Sequence, residues 1–214
     1  MFIKMSSNSI DYRLYILTTL ISIIIGCIVI KYYIIDNVSP FVSDIDGKNY
    51  SIRKIGSDDV KQTAANYLAT LNKKINKIVN YMYEDNLPDE DTAKRLFNRW
   101  SKCSLKETSS NEKSAAYTLN KSVEIRICIR DSSGNFEDIN TSMFVILHEL
   151  AHVMSVGYGH EDEFKNNFSY ITHLASELKL YELKTLADFQ KHTVVYLLIL
   201  LPVVMVRVNT EVDN

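Results

Sequence analysis

The run His148-Glu149-Leu150-Ala151-His152 sets two imidazoles four residues apart, with a carboxylate directly after the first. On a helix, positions i and i+4 share one face a single turn apart, so both rings can reach one metal ion. Glu149 lies about 100° further round the helix, beside such an ion rather than on it. These residue types suit metal-assisted hydrolysis. They supply neutral nitrogen ligands, leave a coordination position open, and provide a carboxylate to take a proton from water. The chain has only five histidines in 214 residues, so composition alone seldom writes this HExxH pattern.

The flanking residues show how the motif would be held. Thr141 or Ser142 can cap the helix. Met143 to Leu147 form an apolar approach, which Leu150, Ala151 and Val153 continue, as expected of a largely buried helix. Buried histidines need partners. Gly157 and Gly159 are expected to end the helix and turn the chain back. His160 follows at once and is the expected third zinc ligand, with water in the fourth position. Glu163 and Glu177 are its rivals. Phe164, Phe168, Ile171, Leu174 and Leu178 recur at helical spacing and predict a second helix behind that turn. Tyr158 or Tyr170 could steady an oxyanion, although a chain with 13 tyrosines uses most of them in packing. The positions that a metzincin fills with glycine and histidine hold Ser155 and Tyr158, which argues against that subclass. The alternative to catalysis is a closed, structural metal site in a binding or scaffold protein, with Glu163 or His173 as fourth ligand.

Met143 to His152, followed by Gly159-His160-Glu161-Asp162-Glu163-Phe164, resembles the WLM-type metallopeptidases, zincins related to the SprT-like proteases. The short, membrane-anchored forms encoded by large DNA viruses are the most similar. Ala115 to Lys121 and the Asp138-Ile139-Asn140-Thr141 entry fit the same resemblance, which covers roughly residues 108–181. It implies an α+β zincin-like domain, zinc on His148, His152 and His160, and Glu149 as catalytic base. Cellular members of the wider family remove proteins crosslinked to DNA. That role does not follow for a chain with a membrane anchor.

The net charge of −2 gives no global field favouring nucleic acid, and Lys73, Lys74 and Lys77 read as a solvated helix face. The expected partners are a protein or peptide substrate and a bilayer. Cys27, Cys103 and Cys128 form neither a disulfide framework nor a cysteine metal site. Leu14 to Ile30 is uncharged and rich in Ile and Leu, and Lys31 to Ile35 extend it into an interfacial zone. We expect one transmembrane helix over 14–35 after a short tail at 1–13. A cleaved signal peptide would need a shorter apolar core and small residues at its end. Lys4 and Arg13 before the span and Asp36, Asp44 and Asp46 after it give only a small positive-inside bias.

Residues 36–56 read as a stalk containing a short strand at Tyr50–Arg53, and 57–192 as the catalytic domain. Ser57 caps a long helix carrying Val60, Ala64, Leu68, Leu71, Ile75, Ile78 and Met82, and a shorter helix follows from Asp89 to Trp100. Lys102 to Lys113 is polar and reads as a loop. Ser122 to Arg130 alternates and predicts a strand with one buried face. It is either an ordinary sheet strand or the one on which an extended peptide would add. Residues 193–214 hold an apolar run interrupted by Pro202, either a second membrane segment or a buried strand or tail.

Overall fold

The computed structural model describes residues 12–29, 37–108, 116–119, 124–131, 133–157 and 159–183, so the segment at 193–214 lies outside it. The chain divides into two units at Asn37–Val38. The first contains α1 (Tyr12–Val29), 18 residues long with none buried. At 1.5 Å per residue it spans about 27 Å, close to the thickness of a bilayer hydrocarbon core. Its threonine and serine hydroxyls are satisfied within the helix. Thr18 and Thr19 donate to the Tyr15 carbonyl and Ser22 donates to that of Thr18. It is long and apolar enough to cross a membrane.

The second unit is mixed α and β and begins at Val38, not at residue 57. Its first piece is a hairpin, β1 (Val38–Val42) and β2 (Asn49–Arg53), paired antiparallel from Val38↔Arg53 to Val42↔Asn49. The segment expected to be a stalk therefore belongs to the folded domain. Tyr50 and Ile52, alternate residues of β2, are buried in its core. Helix α2 (Asp58–Glu84) follows, capped by Ser57, which accepts a hydrogen bond from the Val60 N–H. Gly56 precedes the cap at φ +107°, and a Cβ there would lie 2.9 Å from Val60 Cγ1, so only glycine fits. Of the predicted stripe, Ala64, Leu68, Leu71, Ile75, Ile78 and Met82 are fully buried, while Val60 in the first turn is half-buried. Asp89 caps α3 (Glu90–Trp100).

The three-stranded sheet departs further from the sequence reading. Its order is β3-β5-β4, with β3 (Ser104–Glu107), β4 (Ala116–Leu119) and β5 (Glu124–Ile127). β3 runs parallel to β5 and β4 antiparallel to it. β3 lies where a loop was expected. Its buried residues are Leu105 and Glu107, and a carboxylate sends no hydrophobic signal. Glu107 is fully buried because Arg130 binds both its oxygens at 2.7 Å while the Arg53 backbone N–H donates at 2.7 Å. The Arg53 guanidinium reaches the carbonyls of Thr108 and Arg130 at 3.0 Å, tying β2 to the sheet. Arg130, at 3% exposure, and Glu124, held by Lys106 and Arg126, bury part of the strand face expected to be solvated.

β5 is central, so both of its edges are already occupied and it cannot accept a peptide. The edge strand on its antiparallel side is β4, which has no partner strand on its outer edge among the described residues.

Two helices close the unit. α4 (Ile139–Met154) is buried along nearly its whole length. Its cap is Asp138, whose Oδ2 accepts from the Thr141 N–H, so Thr141 and Ser142 lie inside the helix. α4 ends at Met154, before either glycine, and the Ser155 hydroxyl bonds back to the Ala151 carbonyl. α5 (Asp162–Glu177) packs against it through Phe144 and Phe168, with ring centroids 5.4 Å apart. Lys179, at φ +57°, turns the chain as α5 ends. Lys73 and Lys77 are exposed, as a solvated face requires, while Lys74 donates to the Leu180 carbonyl at 2.8 Å. The cysteines are free thiols.

Candidate metal centre

Helix α4 sets His148 and His152 on one face, with ring centroids 5.0 Å apart. The turn after α4 brings back His160, whose Nε2 lies 3.2 Å from His148 Nε2. One ring nitrogen from each of the three histidines lies within 4.8 Å of the others, the only such His, Cys, Asp or Glu group among the described residues. Two nitrogens each 2.0–2.1 Å from a tetrahedral ion would stand roughly 3.3 Å apart, so the donor set and the His148–His160 spacing suit a metal such as zinc.

The environment favours the ligand form of His148. Phe164 packs against His152, His160 and His148, with centroids at 4.3, 4.6 and 4.9 Å. His148 is 6% exposed, His152 half-buried and His160 exposed, so the cluster is walled behind and open in front. Burial, and then the neighbouring charges of His152 and His160, push the pKa of His148 down to about 3. A neutral imidazole is what a metal requires. His148 Nδ1 is buried without a hydrogen-bond partner.

Glu149 is 8% exposed and faces β4. The Thr118 hydroxyl donates to Glu149 Oε2, and the Thr118 backbone N–H donates to the same carboxylate. Burial raises the Glu149 carboxyl above its ordinary range, and the two Thr118 bonds pull against that rise. A buried carboxylate with a raised pKa, one residue along α4 from His148, is suited to proton transfer.

The rival ligands have other roles. Glu163 accepts from the Val156 N–H at 2.9 Å and the Gly157 N–H at 3.2 Å, pinning the turn that delivers His160. Arg95 reaches the Glu163 carboxylate at 3.5 Å and also donates to the Met154 carbonyl. Arg99 holds the carbonyls of Val153 and Ser155, the latter at 3.0 Å. Asn167 donates to Ser155 Oγ at 3.0 Å. The end of α4 is therefore tied by α3 on one side and α5 on the other. Glu177 and His173 are not in the cluster, and the exposed His173 pairs its Nδ1 with the Ser169 carbonyl. Tyr170 makes no ring contact with the imidazoles among the described residues. Its electrostatic neighbours are Glu177, Tyr81 and Asp85. Tyr158 lies outside the described residues. Thr118, Arg95 and Arg99 carry no specific mark of these roles in the sequence, since a threonine in a strand and arginines on a helix are ordinary residues.

The model of the family Phycodnaviridae minor capsid protein P4 matches residues 49–186, the hairpin's second strand through the site. The chain belongs to that family. An uncharacterized protein of Acanthamoeba polyphaga mimivirus is 32% identical over 144 residues, 65% of this chain and 72% of that protein. Uncharacterized proteins of Invertebrate iridescent virus 3 and Invertebrate iridescent virus 6 are 52% identical over 54 residues and 36% identical over 81 residues. These matches take in 25% and 36% of this chain, and 33% and 45% of those proteins, so the chain spans under half the length of each. Among solved structures, Wss1 from Saccharomyces cerevisiae is 19% identical with a TM-score of 0.41, over 56% of this chain and 81% of that one. At that level the likeness carries no functional argument.

Proposed function

We propose that this member of the minor capsid family is a membrane-anchored zinc peptidase. The observation that carries the reading is the convergence of His148, His152 and His160 at the helix that carries the buried Glu149 carboxylate, with Glu149 bonded to β4, a strand with no partner strand on its outer edge among the described residues. In this reading His148, His152 and His160 hold the metal. A bound zinc ion supplies Lewis acidity to a water molecule and to the peptide carbonyl. Glu149 accepts a proton from the attacking water at a carboxylate oxygen and passes it to the leaving amine nitrogen. An extended peptide adds to the outer edge of β4 through main-chain groups other than the Thr118 N–H, which Glu149 occupies. Phe164 excludes water behind the rings. Helix α1 anchors the chain to the bilayer.

The family description favours a second reading, a capsid component in which the same metal site only stabilises the fold. Glu149→Gln separates the two. The full-length chain in detergent micelles, loaded with zinc, is incubated with an unfolded protein substrate, and both cleavage and zinc content are measured. The peptidase reading expects the variant to keep its zinc and lose cleavage. Stoichiometric zinc with no cleavage by either form would favour the stabilising site.

A further inference from the structure

Thr118 stands opposite Ile125 in the β4–β5 pair. Residues facing each other in an antiparallel ladder either exchange both of their backbone hydrogen bonds or exchange neither. The Thr108 N–H donates to the Ile127 carbonyl on the β3 side of β5, so by alternation Ile125 also bonds toward β3 and this pair is of the second kind. The Thr118 N–H and C=O therefore both turn away from β5, toward the outer edge of β4. Thr118 lies 31 residues before Glu149 in the chain, yet it meets the carboxylate with its hydroxyl as well as its backbone. A carboxylate on a long side chain has several rotamers, and two donors from one rigid strand select among them. Strand register thus fixes where the carboxylate stands on the β4 side of α4.

We propose that Thr118 is a positioning residue, whose hydroxyl and backbone N–H hold the Glu149 carboxylate in its working place between α4 and the open edge of β4. The consequence for catalysis rests on the peptidase reading above, but the hold itself does not. Valine matches threonine in shape and lacks only the hydroxyl donor, whereas serine keeps the donor.

The test is a double-mutant cycle on the full-length chain in micelles, with Thr118→Val, Glu149→Ala and the pair. Urea unfolding is followed through Trp100, the single tryptophan, which is buried in the second unit. A direct contact is expected to show non-additivity of about fivefold or more in the folding equilibrium constant. Effects that add within about twofold would overturn the proposal. A kinetic arm runs alongside. Thr118→Val should lower kcat about tenfold or more with KM and zinc content unchanged, and Thr118→Ser should restore most of kcat. An unchanged kcat in Thr118→Val, or a fall that Thr118→Ser does not rescue, would overturn the proposal, as would loss of zinc. A parent chain that binds zinc but cleaves nothing would sink the peptidase reading and leave the cycle to decide whether Thr118 holds Glu149.

Discussion

Replacing Glu163 with alanine should weaken zinc binding without removing a ligand. The carboxylate bridges the Val156 and Gly157 amides and lies 3.5 Å from Arg95, so it fixes the turn from which His160 points back. A hydrogen bond to a charged group contributes about 1.5–3 kcal/mol when sheltered. The Glu163 side chain is 43% exposed, so solvent weakens these bonds. Taken together they come to about 1–2 kcal/mol. If that energy organises the turn, its loss appears as a fall of about 5- to 30-fold in zinc affinity. Stoichiometry should stay at one ion per chain. The assay is competition with a chromophoric chelator at fixed pH, with Glu163→Gln and His160→Ala as controls. The glutamine variant keeps an acceptor and should lose less. His160→Ala removes a ligand and should lose more than roughly a hundredfold, beyond the range of outer-shell changes. An affinity for Glu163→Ala within about twofold of the parent would refute the turn argument. A larger loss there than in His160→Ala would make Glu163 the ligand.

Three further outcomes follow from the same structure. In the chelator-treated chain, His148 has a folded pKa of about 3 against an ordinary 6.5, so the unfolded state binds more protons between those pH values. Stability should therefore fall on acidification, by about 2 kcal/mol through this group from pH 6 to pH 4, and His148→Gln should flatten that slope; parallel urea-unfolding profiles would contradict it. Glu107→Ala leaves the Arg130 guanidinium buried without its carboxylate and should cost about 3–5 kcal/mol; a loss under about 1 kcal/mol by urea titration would mean that the network is dispensable. The full-length chain should stay with membranes after alkaline carbonate extraction while a chain starting at Asn37 is released, and release of both would argue against α1 as an anchor.

The parts legible in the sequence were those written in helical period. The stripe of α2, the apolar run of α4 and the Phe164–Phe168 spacing each repeat often enough to outvote local exceptions. The histidine cluster was legible for a related reason, because i, i+4 spacing fixes a shared face whatever the tertiary fold. What failed was structure held by charge. β3 was hidden because Glu107 is buried by two arginines distant in the chain, a partnership that no local window contains. The hairpin at Val38–Arg53 looked like a stalk because only two of its strand side chains, Tyr50 and Ile52, are buried apolar groups. Glu163 looked like a ligand because a carboxylate near two histidines reads the same whether it faces a metal or a turn's amides. The strand at 122–130 could be read either as an ordinary sheet strand or as one that takes a peptide, and it is central to the sheet, since its alternation reveals a strand but not its place.

The central claim is that three imidazoles share one ion, and zinc K-edge X-ray absorption on the metal-loaded full-length chain tests it most directly. The account predicts a four-coordinate shell of about three imidazole nitrogens and one further oxygen or nitrogen at roughly 2.0–2.1 Å, and a loss of one imidazole contribution in His160→Ala. A sulfur shell, a shell with one imidazole or none, or a spectrum unchanged by His160→Ala would contradict it.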